Sequence, residues 1–420
     1  MKTFFSQTEI NIQDANLATS NDLSVQSLGK IQIKKNKRLK TKRNIIAFFS
    51  LFIFILLLAF TFYKFVYKAG NTIQEINENN LVAKQAATKS VESLKLNSHL
   101  KLQENQNPIT GEFLTKELYE KLKDQRIVSA VIDNATMARP QAGLSEADVV
   151  YEVPVEDKIT RYLGIFWQHQ PKEIGPIRST RVYILDMSQE YDPVHFHIGQ
   201  ATSNDLKSKN KVDAFDYMNL QAIKHTECSS YMDQGRITQG IPKEHSMFFT
   251  LSTMRQCIPA SWNTSSQLES WSFKENLKLE DRNITSEANI NLTGDSKYSS
   301  RWIYNREKNI YLRYINGSPD IDKSNQQQVT AKNIILQYVN YKNINDELKH
   351  LSFDIIGKGK ATYLLDGKIF DGTWQKDNAS GRTKFLNTDQ KFINFNRGNF
   401  WIIIVPVEES GKTEARISLI

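Results

Sequence analysis

Arg178 and Arg181 lie in the stretch IGPIRSTRVYILD, residues 174–186, between a Gly-Pro turn and an apolar run. A helix beginning near Ser179 would turn its free backbone N–H groups and the positive end of its dipole toward an anion. A guanidinium on either side would clamp a carboxylate or phosphate in bidentate fashion. Arg161, in ITR, and Arg139, in ARPQAG, are placed for the same end of a sheet. The competing reading is internal. Asp133, Asp148, Glu152 and Glu156 are available partners, and networks of this kind brace α/β loops. Glu152 and Glu156 make no catalytic couple, because four residues along a strand separate them by about 13 Å, too far for paired-carboxylate hydrolysis.

His195 and His197, two apart in VHFHIG, share one strand face. Asp186, His225 or His245 could complete a metal site with them. No HExxH or Cys-x-x-Cys spacing accompanies them, and hydrogen-bonded strand histidines are commoner, so no metal is expected. His197 or His245 could instead act as a base, supported by Asp133 or Glu152, which would make the chain a hydrolase or transferase. Cys228 and Cys257, the two cysteines, either pair or stay reduced and buried; both readings are open. No P-loop or G-x-S-x-G is present, and GKGK at 357–360 reads as a β-turn or bulge. No cofactor is expected.

The elements that must hold these residues follow from hydropathy and alternation. Ile45 to Tyr63 is a run of nineteen residues without charge or proline, long enough to cross a hydrocarbon core of about 30 Å. Nine basic residues against three acidic ones fall in residues 1–43, which accounts for most of the net charge of +8. The basic block directly before the apolar run places the N-terminus in the cytoplasm and the body outside. The remainder is near neutral, so no nucleic-acid partner is expected. The expected organisation is a basic disordered tail (1–43), a transmembrane helix (44–66), a stalk (67–106), an α/β domain (107–260), a weakly ordered connection or set of short strands (261–300), a β-rich domain (301–408) and a tail (409–420). Within the α/β domain, Val149, Tyr151, Val153 and Val155 alternate against Glu152 and Glu156, and TRVYILDMSQEY (180–191) reads as a helix. SMFFT (246–250) reads as a strand, RWIY and IYLRY as a hairpin, and Asn316-Gly317 as its exit turn.

The strings NPITGE, VIDN…ARPQAGLSEADVVYEVPVE…ITRYLGIF and IGPIRSTRVYILDMSQEYD…HIG resemble, in order and spacing, the N-terminal domain of the YerB-like bacterial lipoproteins. YLRYINGSP…TAKNIILQYVNY, GKGKATYLLDGKIFDGTW and SGRTKF resemble that family's smaller C-terminal domain. The resemblance spans roughly residues 107–408. It implies a layered α/β (α+β) sandwich as main domain with a smaller β-rich domain after it, and it supplies no reaction. Asp133, Asn134, Arg139, Glu152, Glu156, Arg161, Arg178, Arg181, His197 and His245 fall on the family's motif positions. A lipidated cysteine is replaced here by the apolar run, Glu-Gly-Gly by Glu156-Asp157-Lys158, and His-x-Gly-Gly-Ser by HIGQA. Polar motif residues gathered on loops at one sheet end suit a binding site. The expectation is an envelope protein binding an anionic cell-wall component or protein partner through Arg139, Arg161, Arg178 and Arg181, with Glu152 and Glu156 holding them.

Overall fold

The computed structural model describes residues 64, 104–156, 158–202, 213–232, 240–346 and 348–420. The expected tail at 1–43, the span at 44–66 apart from Lys64, and the stalk up to residue 103 lie outside them. Among the described residues no helix is long and apolar enough to cross a membrane.

Among the residues from 104 onward that are described, four short helices are present, α1 (Lys116–Leu122), α2 (Val182–Gln189), α3 (Ala214–Leu220) and α4 (Leu251–Gln256). Thr115, Asp213 and Thr250 cap three of them by accepting a backbone N–H with the side-chain oxygen. Early in the chain come strands β1 (Val128–Asp133), β2 (Val149–Glu156), β3 (Ile159–Phe166), β4 (Val194–Phe196) and β5 (His225–Thr226). Next are β6 (Ser272–Lys274), β7 (Glu287–Asn291), β8 (Ser300–Asn305), β9 (Ile310–Ile315), β10 (Ser318–Pro319) and β11 (Thr330–Ala331). The last are β12 (Asn333–Asn343), β13 (Leu351–Phe353), β14 (Gly357–Leu365), β15 (Lys368–Lys376), β16 (Lys384–Asn387), β17 (Asn394–Asn396), β18 (Phe400–Val407) and β19 (Arg416–Leu419).

One eleven-stranded sheet runs β16-β15-β14-β12-β18-β2-β3-β1-β4-β5, with β13 paired to β12. Strand β18 lies between β12 and β2 and is parallel to both, so Ile402 stands opposite Ile335 on one side and Tyr151 on the other. The two sequence segments therefore share one sheet. A second, six-stranded antiparallel sheet runs β10-β9-β8-β7-β19, with β11 on β9.

Alternation divides the main sheet into two apolar faces. Val149, Tyr151, Val153, Ile402 and Ile404 pack with Tyr183, Ile184 and Met187 of α2. Val150, Tyr162, Trp401 and Ile403 pack with Ala288, Ile290, Trp302 and Tyr311 of the second sheet. Burial of this alternating set is what makes the register of β2 unambiguous.

Several expectations are corrected. The helix begins at Val182 with Arg181 as its N-cap residue, rather than near Ser179. SMFFT forms no strand; Phe249 bridges Ile174 and the chain turns at once into α4. GKGK is neither turn nor bulge, since Gly357 to Lys360 pair in register with Lys376 to Thr373. Gly359 is required there, because a Cβ would stand 2.6 Å from the Trp374 indole nitrogen. Of the two readings of residues 261–300 the short strands are found, β6 and β7, whereas the expected tail supplies β19, which pairs with β7. Both segments are polar and their strands short; β7 buries alternate residues, while β6 and β19 are only half-buried or exposed. The reversal at Asn316-Gly317 is as expected, both residues having positive φ as a type I′ turn requires.

Candidate functional site

The site is built from the ends of β1 and β3 and the loop that leads into α2. Cross-strand pairing sets Asp133 opposite Arg161. The Ile177 and Arg178 backbone is bonded in place, Ile177 N–H to Met247 and Arg178 N–H to Val131. Gly175 permits this, since its φ is +147° and a Cβ would sit 2.6 Å from the Met247 carbonyl oxygen.

Asp133 is buried and divides its carboxylate. Oδ1 accepts from the Ala135 N–H at 2.9 Å, and Oδ2 lies 2.5 Å from His245 Nδ1 and 3.4 Å from Arg178 Nε. Arg178 is partly exposed and donates from one terminal nitrogen to the Glu244 carbonyl oxygen at 3.0 Å. Its Nε makes no hydrogen bond among the described residues. Burial, and next the neighbouring Arg161, hold the Arg178 guanidinium below the usual arginine range. Asn134 carries the other arginine of this end. Its Oδ1 accepts from Arg139 Nε and Gln141 Nε2, both at 3.1 Å, and its amide donates to Thr160 Oγ1 at 2.7 Å. Arg139 then crosses to the Lys297 carbonyl oxygen at 2.7 Å and lies over the Tyr298 ring.

Arg161 and Arg181 are occupied internally. Both pair with Glu156, Arg161 at 3.4 Å and Arg181 closer still. Arg161 also donates to the Ser179 carbonyl oxygen at 2.9 Å, and Arg181 to that of Thr180 at 2.7 Å. Burial lowers the pKa of each. The carboxylate in this two-arginine clamp is the protein's own Glu156.

Two expected members are elsewhere. Glu152 holds none of these arginines; its Oε2 accepts from Arg313 and from the Trp401 indole N–H, each at 3.1 Å, on the second-sheet side. Arg313 also pairs with Asp320 and stacks on the Trp401, Tyr162 and Trp302 rings. His197 bonds to the Gly199 carbonyl oxygen at 2.8 Å and to His225 at 3.1 Å, and not to Asp133. His195 is enclosed by Ser129, Ser188 and Thr180 hydroxyls. Gly199, at φ +73°, approaches Ser179, whereas Gln200 in the place of the family's second glycine has no positive φ. That substitution removes no glycine the backbone needs.

Arg313 was absent from the residues singled out by sequence, although a signal existed. It falls between Tyr311 and Ile315 on the buried face of β9, where alternation calls for an apolar side chain. Cys228 and Cys257 form a disulfide that ties the region after β5 to the end of α4.

The chain that builds this fold, a central sheet covered by a helix on one face and a second sheet on the other, matches a described family. Residues 110–261 match the family "Protein of unknown function (DUF3048) N-terminal domain", and residues 289–402 match the family's C-terminal domain. YerB of Bacillus subtilis (strain 168), named as a candidate lipoprotein, is 27% identical over 310 residues, covering 71% of this chain and 86% of YerB. The crystal structure of YerB protein from Bacillus subtilis shares the fold, with a TM-score of 0.61 at 23% identity over 74% of this chain and 99% of that one. The chain belongs to the YerB-like family and carries both of its domains.

Proposed function

We propose that this is a membrane-anchored extracytoplasmic envelope protein that binds an anionic cell-wall component through the cluster at the end of β1, with Arg178 as the contact residue. A relative named as a candidate lipoprotein and the apolar run at 45–63 behind a basic block support the location. One observation carries the binding reading. Arg161, Arg178 and Arg181 gather around two carboxylates, Asp133 and Glu156, with Arg139 held by the neighbouring Asn134, and Arg178 shares its carboxylate with His245. Cations removed from water without a full complement of counter-charge gain most from an incoming anion.

The test is co-sedimentation of the full chain with purified cell walls bearing anionic polymer. Arg178→Ala is expected to weaken binding about tenfold or more while Arg181→Ala, which breaks the internal pair, shifts the melting temperature instead. Equal binding by wild type and Arg178→Ala would sink the proposal.

A second reading rests on the bond between Asp133 and His245. An aspartate on Nδ1 fixes the imidazole tautomer and leaves Nε2 free to move a proton. With His197 and Glu152 placed elsewhere, a hydrolase or transferase would use His245 with Asp133 alone. Release of soluble fragments from those walls, lost in His245→Gln, would favour this reading over binding.

A further inference from the structure

A second concave site lies at the far end of the main sheet, between the β14–β15 hairpin, the loop after β16 and the end of β6. Its volume is about 550 Å³, and its walls include Phe370, Phe392, Lys368, Asn387, Thr388 and Asn394, a size suited to a small organic ligand. Two phenyl groups stand in solvent here, Phe392 at 48% exposure and Phe370 at 36%. Phe370 is steadied by the Tyr363 ring at 5.4 Å.

The charged groups of the cleft are mostly spent on each other. Lys274 binds Asp366 and Asn396, each at 2.6 Å. Asp371 accepts from Thr362 at 2.6 Å and pairs with Lys360 at 3.1 Å. Asn387 uses its oxygen to accept from the Asp389 and Lys391 N–H groups, which leaves its amide N–H₂ to donate. The side chains of Asn394, Thr388 and Lys368 make no hydrogen bond among the described residues. What the cleft offers is therefore flat aromatic surface, neutral amide and hydroxyl groups, and one ammonium. A polyanion would find too little charge. An extended peptide would find no open ladder, because Phe392 already bridges Leu386 of β16.

We infer that this cleft binds a saccharide, with the C–H faces of sugar rings on Phe370 and Phe392 and hydroxyl or acetamido groups on Asn387, Asn394 and Thr388. Aromatic faces carry partial negative charge and attract the polarised C–H groups of a pyranose, while amides donate and accept at once. The site is separate from the arginine cluster and stands or falls without it.

The experiment is calorimetric titration of the full chain in detergent with triacetylchitotriose and with maltotriose. Saturable binding of either sugar is expected, weakened about tenfold by Phe392→Ser and by Asn394→Ala and unchanged by Arg178→Ala. Circular dichroism and the melting temperature confirm that each variant is folded. Absence of saturable binding by the wild type with both sugars overturns the inference. So does binding that survives Phe392→Ser and Asn394→Ala unchanged, or that is lost in Arg178→Ala.

Discussion

At the scale of single residues, the buried histidines set a pH dependence. Burial, followed by His197 and His225, holds His195 well below the ordinary histidine value of 6.5, and burial also lowers His197. At His197 the bond to the Gly199 carbonyl oxygen and then Glu227, 3.8 Å from Nδ1, oppose the shift, and Glu227 opposes it at His225 as well. Because the folded values lie under the unfolded ones, the unfolded chain takes up protons first as pH falls. Stability is full above about pH 6.5 and declines below it, by up to about 1.4 kcal/mol per pH unit for each histidine. Urea unfolding near pH 7.5 and pH 5.5 should show the loss, and His195→Asn should shrink the difference between the two. An unaltered difference in that variant would place the pH response elsewhere. The types and spacing of Arg178, Arg181, Asp133 and His245 were legible in the chain, and the structure does bring them to one end of the sheet. Which carboxylate answers which arginine was not. Glu152 and Glu156 look equivalent in sequence, yet a strand sends Glu152 to the second-sheet face and leaves Glu156 at the strand end with Arg161 and Arg181.

At the scale of elements, β9 and β2 are joined by a buried charge network. Replacing Arg313 with Met would leave Glu152 and Asp320 buried without their cation, at a cost of about 3–5 kcal/mol. Chemical denaturation measures this directly, and the combined change of Arg313, Glu152 and Asp320 to apolar residues should recover much of the loss. The disulfide closes a separation of 29 residues, which the chain-entropy relation values at about 3–4 kcal/mol. Cys228→Ala with Cys257→Ala should lower the melting temperature of the oxidised protein and leave the reduced protein unaffected. Strands of strong alternation, such as β2 and the β8–β9 hairpin, could be read locally because the period of two is visible over a few residues. Strands β7 and β19 could not, because β7 is polar at three of its five positions and β19 buries no residue fully, and β19 is a strand only through its pairing with β7.

At the scale of the molecule, the two family domains share one sheet and are expected to unfold together. Strand β18 presents one edge to β12 and the other to β2, so a fragment ending near residue 261 would leave β2 with an unpaired edge and an exposed apolar face. Calorimetry of residues 104–420 should give one transition with matching calorimetric and van't Hoff enthalpies. Residues 104–261 alone should be aggregated or unfolded. Two separated transitions, or a soluble folded fragment, would refute the shared-sheet account. This cross-over was invisible in the sequence, where FWIIIVPV is merely a buried strand without an address.

The same insertion has a consequence for the order of events during synthesis. The Trp401 indole meets Glu152 across 249 positions of chain. At about 5–20 residues per second, β2 waits some tens of seconds on the ribosome before its neighbour exists. For that interval a strand with one bare flank and two greasy faces must be kept from pairing with a stranger. A message cut short anywhere before Phe400 yields a product that cannot close its central layer, and that bare edge is what sets it apart from the full-length chain.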